Sequence, residues 1–342
     1  MSRKIIISGL AILFIITSII GFNYYTSIFG KSVLKDGILY IHTNSSKDDL
    51  KKELSEFLKE DNDFDWVAKK KSFSKPRAGK YQLKKGMSLN DVINLLRSGN
   101  QTPVTLSFNN QDTLEKLAGR ISQQIEPDSI VILKAMLDGK FLSENGFSET
   151  SALGMYIPNS YQVYWNTSAE DFRNRMKKEF VKFWNRDRVS KAKKIGLNRG
   201  EVLTLASIVQ KETAQVSERP TVAGLYLNRL KKGWPLQADP AIIFALKKKN
   251  GQDFVVKRVL YKDLEIKSPY NTYLNRGLPP TLIGMPDISS IDAVLNYKKH
   301  NYFYMCVNVD KLGFHEFASS LSQHNKNARK YQRWLNRQGI KR

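Results

Sequence analysis

An uncharged apolar segment close to the N-terminus constrains this chain more than any other feature. After Arg3 and Lys4, the run from Ile5 to Phe22 carries no charged side chain, and none follows before Lys31. At about 1.5 Å per residue, a helix over this run is about 27 Å long, close to the thickness of a bilayer's hydrocarbon core. The segment therefore predicts a transmembrane helix, which we place at residues 5–25.

The charges beside this run predict its orientation. Arg3 and Lys4 favour a cytoplasmic tail over residues 1–4, with the rest of the chain on the outer (periplasmic or extracellular) face of the cell membrane. A cleaved signal peptide is the alternative, but its apolar core is usually about 7–15 residues long and ends at a small-residue cleavage site. The longer run here favours an uncleaved single-pass anchor, followed by a stalk over residues 26–36.

The balance of charge indicates an anionic partner. The chain has 55 Lys and Arg against 32 Asp and Glu, a formal net charge of +23. Such a surface attracts nucleic acid, anionic lipid or an acidic polymer. An anchored chain outside the cytoplasm loses nucleic acid as the usual partner of a basic surface, so we expect membrane lipid and wall polymer instead. The stretch Lys69–Lys85 has no acidic residue, and it is either a solvated loop or a face toward such a surface.

Several common chemistries lack their sequence signals. Cys306 is the one cysteine, and the four histidines show no metal-ligand spacing, so we expect no bound metal and no cofactor. No P-loop, dinucleotide fingerprint, zinc-protease motif or nucleophile elbow occurs. Cleavage of a glycan remains open, because carboxyl groups alone can catalyse it.

The rest of the chain divides into two parts of different character. Residues 37–101 predict a small α/β subdomain, whose last helix has a capping box at Ser88 and Asp91 and ends at Gly99. Residues 102–342 predict a larger, mainly helical α+β domain. Its Pro- and Gly-rich connections are typical of fixed loops around a cleft. The predicted fold class is therefore α+β.

A predicted helix over Arg199–Ala214 contains the strongest candidate for a catalytic side chain. Its apolar residues form one broad arc that includes Glu212, whereas Ser207 falls outside it. A carboxyl group on an inner face is desolvated, which keeps it protonated and able to act as an acid. The alternative is a structural role, in which Glu212 bonds to a nearby loop or pairs with Arg219 or Arg229.

Asp239 is a second carboxylate of interest. Pro240 biases it toward extended backbone, and Gln237 lies close by in the sequence. A structural role is favoured here, in which Asp239 is the N-cap of a helix that starts near Ala241.

Six short motifs, taken in order, resemble those of the endolytic murein transglycosylase (MltG, or YceG-like) family. The resemblance covers essentially the whole chain. The motifs are LASIVQKET (205–213), NRL (228–230), LQADP (236–240), YNTY (270–273), GLPP (277–280) and HN (324–325).

The resemblance implies a bitopic enzyme with a LysM-like subdomain at 37–101 and a catalytic domain at 102–342. It implies a lytic transglycosylase that cuts nascent peptidoglycan internally, between MurNAc and GlcNAc, leaving 1,6-anhydroMurNAc ends and terminating strand elongation. Peptidoglycan strands are then the substrate, and peptidoglycan synthases are candidate partners. The family's catalytic glutamate falls on Glu212. Resemblance and side-chain chemistry together suggest a set of substrate-binding residues: Tyr161, Gln237, Asp239, Asn271, Thr272, Tyr273, His324 and Asn325.

The sequence departs from the family's pattern at two places. Gln210 stands where relatives carry an acid, and Asn159-Ser160 stand where relatives often carry Asp-Thr. The second departure removes any role for a carboxylate at position 159. Two other functions remain open on the sequence alone, a non-catalytic membrane-anchored peptidoglycan-binding scaffold and an anchored nucleic-acid binder.

Overall fold

A computed structural model of the chain describes residues 3–59 and 62–338. The chain forms two compact units. The first comprises the residues up to Leu106 together with Ser122–Pro127 and Tyr161–Ser168. The second comprises Ser107–Ile121, Asp128–Ser160 and the chain from Ala169 onward. Residues 1 and 2 of the expected cytoplasmic tail lie outside the described residues.

The first helix, α1, runs from Arg3 to Phe29. Its segment Ile6–Phe29 has a mean hydropathy of 2.2, and residues 6–26 are exposed, so it is long and apolar enough to cross a membrane. The stalk expected over residues 26–36 is not observed as a separate spacer. Instead α1 continues to Phe29, and Ile28 and Val33 are buried in the hydrophobic core of the first unit.

The first unit is a small α/β structure. Its elements are β1 (Gly37–Ile41), α2 (Lys47–Leu54), α3 (Phe64–Lys70), β2 (Gly79–Leu83) and α4 (Leu89–Ser98). Strands β1 and β2 are antiparallel, with Gly37 opposite Leu83. The predicted capping box is present, because Ser88 accepts the N–H of Asp91 while the Asp91 carboxylate accepts the N–H of Ser88. Gly99 ends α4 at a φ of 70°, which a glycine adopts without strain.

Two further strands pair with each other, and three helices lie between them in the sequence. These elements are β3 (Val104–Phe108), α5 (Leu114–Ser122), α6 (Ser129–Met136), α7 (Gly139–Glu144) and β4 (Asn159–Val163).

The second unit is mainly helical and ends in a hairpin and a helix. It contains α8 (Ala169–Phe183), α9 (Arg186–Lys194), α10 (Arg199–Glu212), α11 (Arg219–Lys231), α12 (Asp239–Asn250), α13 (Ile288–Leu295), β5 (Tyr304–Val307), β6 (His315–Ala318) and α14 (Leu321–Arg337). Strands β5 and β6 are antiparallel, and α14 packs against both. Small two-stranded sheets among many helices agree with the predicted α+β class.

Helix α10 lies at the centre of the second unit, where α9, α11, α12 and α13 pack against it. Its burial differs from the prediction. Thr204 and Ser207 are 4% and 1% exposed, so the polar side of the helix is buried as well. The hydroxyl of Ser207 is satisfied there, since it donates to the carbonyl of Thr204 at 2.7 Å and accepts the N–H of Ile283 at 3.0 Å.

Candidate active site

Glu212 is the last residue of α10, two residues before the predicted end of the helix. The chain turns to extended backbone at Thr213, where φ is −138°. Glu212 is mostly buried but keeps some contact with solvent. Burial is the largest influence on this carboxyl group and raises its pKa. The negative end of the helix dipole also disfavours a carboxylate at this position.

The hydrogen-bond partner of Glu212 is a tyrosine of the adjacent helix. Tyr226, on α11, is 1% exposed and donates its hydroxyl to Glu212 Oε2 at 3.0 Å. The expected structural pairing with an arginine is not observed. Arg219 instead donates to Asp287 at 2.8 Å. Glu212 therefore has a neutral donor beside it and, among the described residues, no direct ion pair.

Arg229 acts on Glu212 at longer range. It donates to the main-chain carbonyls of Leu236 and Phe303, at 2.5 Å and 2.8 Å. It thereby holds the loop before α12 and the chain entering β5 against α11. Its charge also offsets a small part of the rise in the pKa of Glu212. Because its guanidinium donates to carbonyl groups, Arg229 acts on Glu212 only through its electrostatic field and does not form an ion pair with it.

A glutamate–histidine pair lies on another side of the acid. His315, the first residue of β6, donates its main-chain N–H to Glu218 Oε1 at 2.6 Å, and its Nδ1 lies 2.9 Å from Glu218 Oε2. Glu218 is 6% exposed. Burial opposes the charged form of His315, but the bond to Glu218 and the charges of Glu218 and Glu212 together raise its pKa. The resulting positive charge in turn lowers the pKa of Glu212.

Two loops meet near this cluster through Thr272. Its hydroxyl accepts the N–H of Ala238 at 3.0 Å, and its carbonyl accepts the N–H of Gln237 at 2.9 Å. The Gln237 side chain is exposed, and its backbone has a φ of +51°, unusual for a residue other than glycine. Thr272 is 2% exposed, so it joins the loops from within.

Asp239 does not cap α12, contrary to the expectation. It is the first residue of that helix, Ala238 occupies the N-cap, and no side chain caps the end. The reason is that Asp239 Oδ1 accepts the hydroxyl of Tyr273 at 2.6 Å. Asp239 is exposed, and its charge raises the pKa of Glu212 further. Burial and the neighbouring Asp239 raise the pKa of Tyr273, which stays protonated.

Asn271 is built into its own loop. It is fully buried, and its amide donates to the carbonyls of Leu264 and Ile266 at 2.8 Å and 2.9 Å. Its side-chain oxygen accepts the N–H of Tyr273 at 2.9 Å. With these bonds made, Asn271 fixes the loop that presents Tyr273.

The remaining candidates lie on other elements. His324, on α14, stacks on Tyr304 with ring centroids 5.2 Å apart, and its buried Nδ1 has no hydrogen-bond partner within residues 3–59 and 62–338. Burial lowers the pKa of His324, which keeps it neutral. Asn325 is exposed. Tyr161, on β4, is 7% exposed and belongs to the first unit, so it is not grouped with the others.

The positions that depart from the family's pattern also lie in the second unit. Gln210 Oε1 accepts the hydroxyl of Ser290 at 2.6 Å, two residues before the acid. Asn159 and Ser160 line an open groove of about 800 Å³. The rest of its lining is mostly polar: Ser107, Phe108, Asn109, Asn110, Arg120, Pro158 and Asp287.

The structure adds residues to the site that the sequence did not single out. Tyr226, Glu218 and His315 surround Glu212, while no group of three potential metal ligands occurs among the residues described. For Tyr226 the sequence offered one weak signal, its position on the helix that follows α10 along the chain. For His315, 97 residues beyond its partner Glu218, no local pattern was present. The arrangement can hold one protonated carboxyl group and stabilise it after it loses its proton.

Comparisons with known proteins agree with the motifs. The sequence profile of the YceG-like family matches residues 39–330. An endolytic murein transglycosylase of Bacillus subtilis (strain 168) is 31% identical over 293 residues, which cover 81% of this chain and 79% of the relative. One of Streptococcus pneumoniae serotype 2 is 29% identical over 291 residues, 77% of this chain but 52% of that longer relative. The crystal structure of a yceG-like protein from Listeria monocytogenes superimposes with a TM-score of 0.57 at 28% identity, covering 85% of this chain and 98% of that one.

Proposed function

The chain belongs to the YceG-like family, and from this membership we propose that it is an endolytic murein transglycosylase, a lyase acting on peptidoglycan strands. One observation carries the proposal. Glu212 combines a raised pKa with the Tyr226 hydroxyl as hydrogen-bond donor and with the nearby positive charges of His315 and Arg229, as a group that must give and then take a proton requires.

Glu212 starts the reaction as an acid. Its proton passes to the glycosidic oxygen between MurNAc and GlcNAc, and the bond from that oxygen to the anomeric carbon breaks. Burial keeps Glu212 protonated for this step. The positive charge that develops at the anomeric carbon is met by the acetamido carbonyl of the substrate itself. No second enzyme carboxylate is needed about 5 Å away, as in two-carboxylate retaining enzymes.

Glu212 then finishes the reaction as a base. Its carboxylate accepts the proton of the C6 hydroxyl of MurNAc, whose oxygen bonds to the anomeric carbon and closes the 1,6-anhydro ring. One proton has moved from that hydroxyl to the leaving oxygen, and no water is consumed. During the interval, the Tyr226 hydroxyl and the His315 charge stabilise the carboxylate.

Substrate contacts are proposed for the side chains that remain free to make them. Gln237 and Asn325 are exposed, and the Tyr273 hydroxyl, which donates to exposed Asp239, can still accept a hydrogen bond. Asn271 and Thr272 act by holding those loops, since their polar groups already bond to main-chain atoms. The open groove of about 800 Å³ can hold further sugars, which internal cutting of a long strand requires.

The proposal includes anchoring in the cell membrane by α1, with the N-terminus in the cytoplasm and the catalytic unit outside. A helix that is cleaved off would not supply core residues, yet Ile28 packs in the core of the first unit. Cutting strands beside the membrane would terminate their elongation and bring the enzyme close to peptidoglycan synthases. The LysM-like subdomain over 37–101 would contribute to holding the polymer.

Glu212→Gln tests the proposed function. The variant should fold as the wild type does, bind strands, and release no 1,6-anhydro ends from purified glycan, as read by mass spectrometry. Glu201→Gln is the matched control, because Glu201 lies on the same helix and its capping role can be filled by glutamine. Product release by Glu212→Gln at the rate of the control would overturn the assignment. A wild-type protein that binds strands and never cuts them would support the scaffold alternative.

A further inference from the structure

The outer end of α1 is built into the first unit. Ile28 is 9% exposed within that unit's core. One turn earlier, the ring of Tyr24 meets the ring of Trp66 edge to face, with centroids 4.9 Å apart and planes at 86°. Trp66 belongs to α3, so a helix of the folded unit is fixed against the anchor itself.

This contact sets the depth of Trp66 relative to a membrane. If the hydrocarbon core ends at Phe22, Tyr24 lies about 3 Å beyond its edge and Phe29 about 10 Å beyond, at about 1.5 Å per residue. The headgroup layer on each side is roughly 5–8 Å thick. Tyr24 therefore lies within the headgroup layer, and Trp66 lies there with it. Tryptophan and tyrosine favour this layer, because their rings are apolar and their edges polar.

Basic side chains lie beside Trp66 and on the segment that follows α1. Beside Trp66, the Lys70 ammonium group is 5.9 Å from the ring centroid and exposed. Lys31 is exposed two residues after the end of α1. The turn that carries exposed Lys84 and Lys85 is held against the same segment, because the N–H of Gly86 donates to the carbonyl of Val33 at 2.8 Å.

Among the residues that the structure describes, acidic groups near this surface are few. Asp36 accepts the main-chain N–H of Lys85 at 2.6 Å, so one carboxylate does face the turn. Asp65, next to Trp66 in the sequence, is already paired with Lys47 and Lys51. The surface thus keeps a positive excess within about one Debye length, roughly 8 Å, of the expected lipid headgroups.

We propose that the first unit rests on the bilayer and binds anionic phospholipid headgroups through a juxtamembrane patch formed by Lys31, Trp66, Lys70, Lys84 and Lys85. This inference relies on the membrane anchoring proposed above. For the basic run Lys69–Lys85, the proposal favours a face toward an anionic surface over a solvated loop, since the two ends of that run would contact the headgroups. Arg77, near its middle, donates instead to the carbonyl of Ser98.

The depth of Trp66 is the first test. The full chain is reconstituted in vesicles of phosphatidylcholine and phosphatidylglycerol that contain lipid with a nitroxide either on the headgroup or at the end of the acyl chain. The signal of Trp66 is the difference between the wild type and Trp66→Phe, which keeps a ring against Tyr24. We expect stronger quenching of this signal by the headgroup nitroxide. A Trp66 signal that neither label quenches would overturn the proposal.

The choice of lipid is the second test. The patch variant changes Lys31, Lys70, Lys84 and Lys85 together to glutamine. The control changes four exposed lysines of the second unit in the same way: Lys178, Lys193, Lys194 and Lys249. Each protein is released from vesicles that contain equal amounts of phosphatidylglycerol and phosphatidylcholine. Native mass spectrometry then counts the molecules of each lipid that remain bound to the protein. We expect the ratio of bound phosphatidylglycerol to bound phosphatidylcholine to be roughly two- to five-fold lower for the patch variant than for the wild type.

Each outcome of this comparison decides the proposal. An unchanged preference in the patch variant, or an equal loss in the control, would overturn it. An alkaline wash that releases the wild type from vesicles would remove its premise, the anchor. Failure of the proposed catalysis is a separate result, because it is read from strand cleavage by the same proteins in detergent.

Discussion

Glu218→Gln gives a direct test of how the site holds a positive charge beside its acid. In the wild type, the Glu218 carboxylate accepts two hydrogen bonds from His315, at 2.6 Å and 2.9 Å, within a largely buried pocket. Hydrogen bonds to charged groups contribute about 1.5–3 kcal/mol each to stability. We take one such bond as lost, because glutamine can still accept the main-chain N–H. At about 2–4 °C per kcal/mol for a domain of this size, the midpoint of thermal unfolding should fall by about 3–12 °C.

The loss of stability in Glu218→Gln should depend on pH, and the direction of this dependence follows from the pKa values of Glu218 and His315. The pKa of His315 is raised in the folded protein, so its contribution is complete below its ordinary value of about 6.5 and declines as pH rises through the folded value. The pKa of Glu218 is lowered despite its burial, so its contribution declines as pH falls through the folded value. The difference between wild type and variant should therefore be largest in mildly acidic solution and shrink in both directions.

Catalysis should change with stability. Without its carboxylate partner, His315 has a lower pKa and loses its charge near neutral pH. Glu212 then loses a positive neighbour, its own pKa rises, and the alkaline limb of the pH–rate profile moves to higher pH. The maximal rate should fall, since the carboxylate formed in the first step is less stabilised.

The assay combines three measurements on the full chain. They are thermal unfolding, carbon-13 NMR titration of the histidines with His315→Gln for assignment, and the pH dependence of anhydro-end formation. Glu316→Gln is the control, because Glu316 follows His315 on β6 and its side chain points to the opposite face. An unshifted His315 titration in a folded Glu218→Gln variant would refute the reasoning. An equal effect of Glu316→Gln would refute it as well.

Further variants test other contacts of the second unit. Tyr226→Phe removes the donor to Glu212, so the pKa of Glu212 should rise and the alkaline limb of the pH–rate profile should move upward; a downward shift would contradict this. Gly224→Ala places a methyl group 2.3 Å from the carbonyl of Lys298, so the chain beside α11 must move. We expect the free energy of unfolding to fall by about 1–3 kcal/mol, measured by thermal unfolding. An unchanged midpoint would contradict this expectation.

Parts of this architecture follow from short-range sequence signals. The α4 helix was predicted with its capping box at Ser88 and its glycine end, because both are decided within a few residues. Glu212 was singled out because helical periodicity places it on the inner arc of α10, and the family resemblance made it the catalytic candidate. Ser207 was placed wrongly by the same rule, since other helices surround the middle of α10 and bury residues 202–209 on every side.

Other parts depend on contacts between distant segments. Asp239 was expected to cap α12, and the Tyr273 hydroxyl, 34 residues away, engages its carboxylate instead. His315 belongs to the site because β6 brings it to Glu218, and no spacing in the sequence records that approach. The stalk expected over residues 26–36 is a similar case. Whether Ile28 is buried depends on the unit that packs around it.

The most direct test of the account follows the oxygen atoms of the product. Full-length protein cuts purified, uncrosslinked glycan strands in water enriched in heavy oxygen, and mass spectrometry reads the new MurNAc ends. If Glu212 passes the proton of the C6 hydroxyl to the leaving oxygen, the ends are 1,6-anhydro sugars without the heavy label, and Glu212→Gln produces none of them. Ends that carry heavy oxygen would mean that water attacks the anomeric carbon, and would contradict the proposed mechanism.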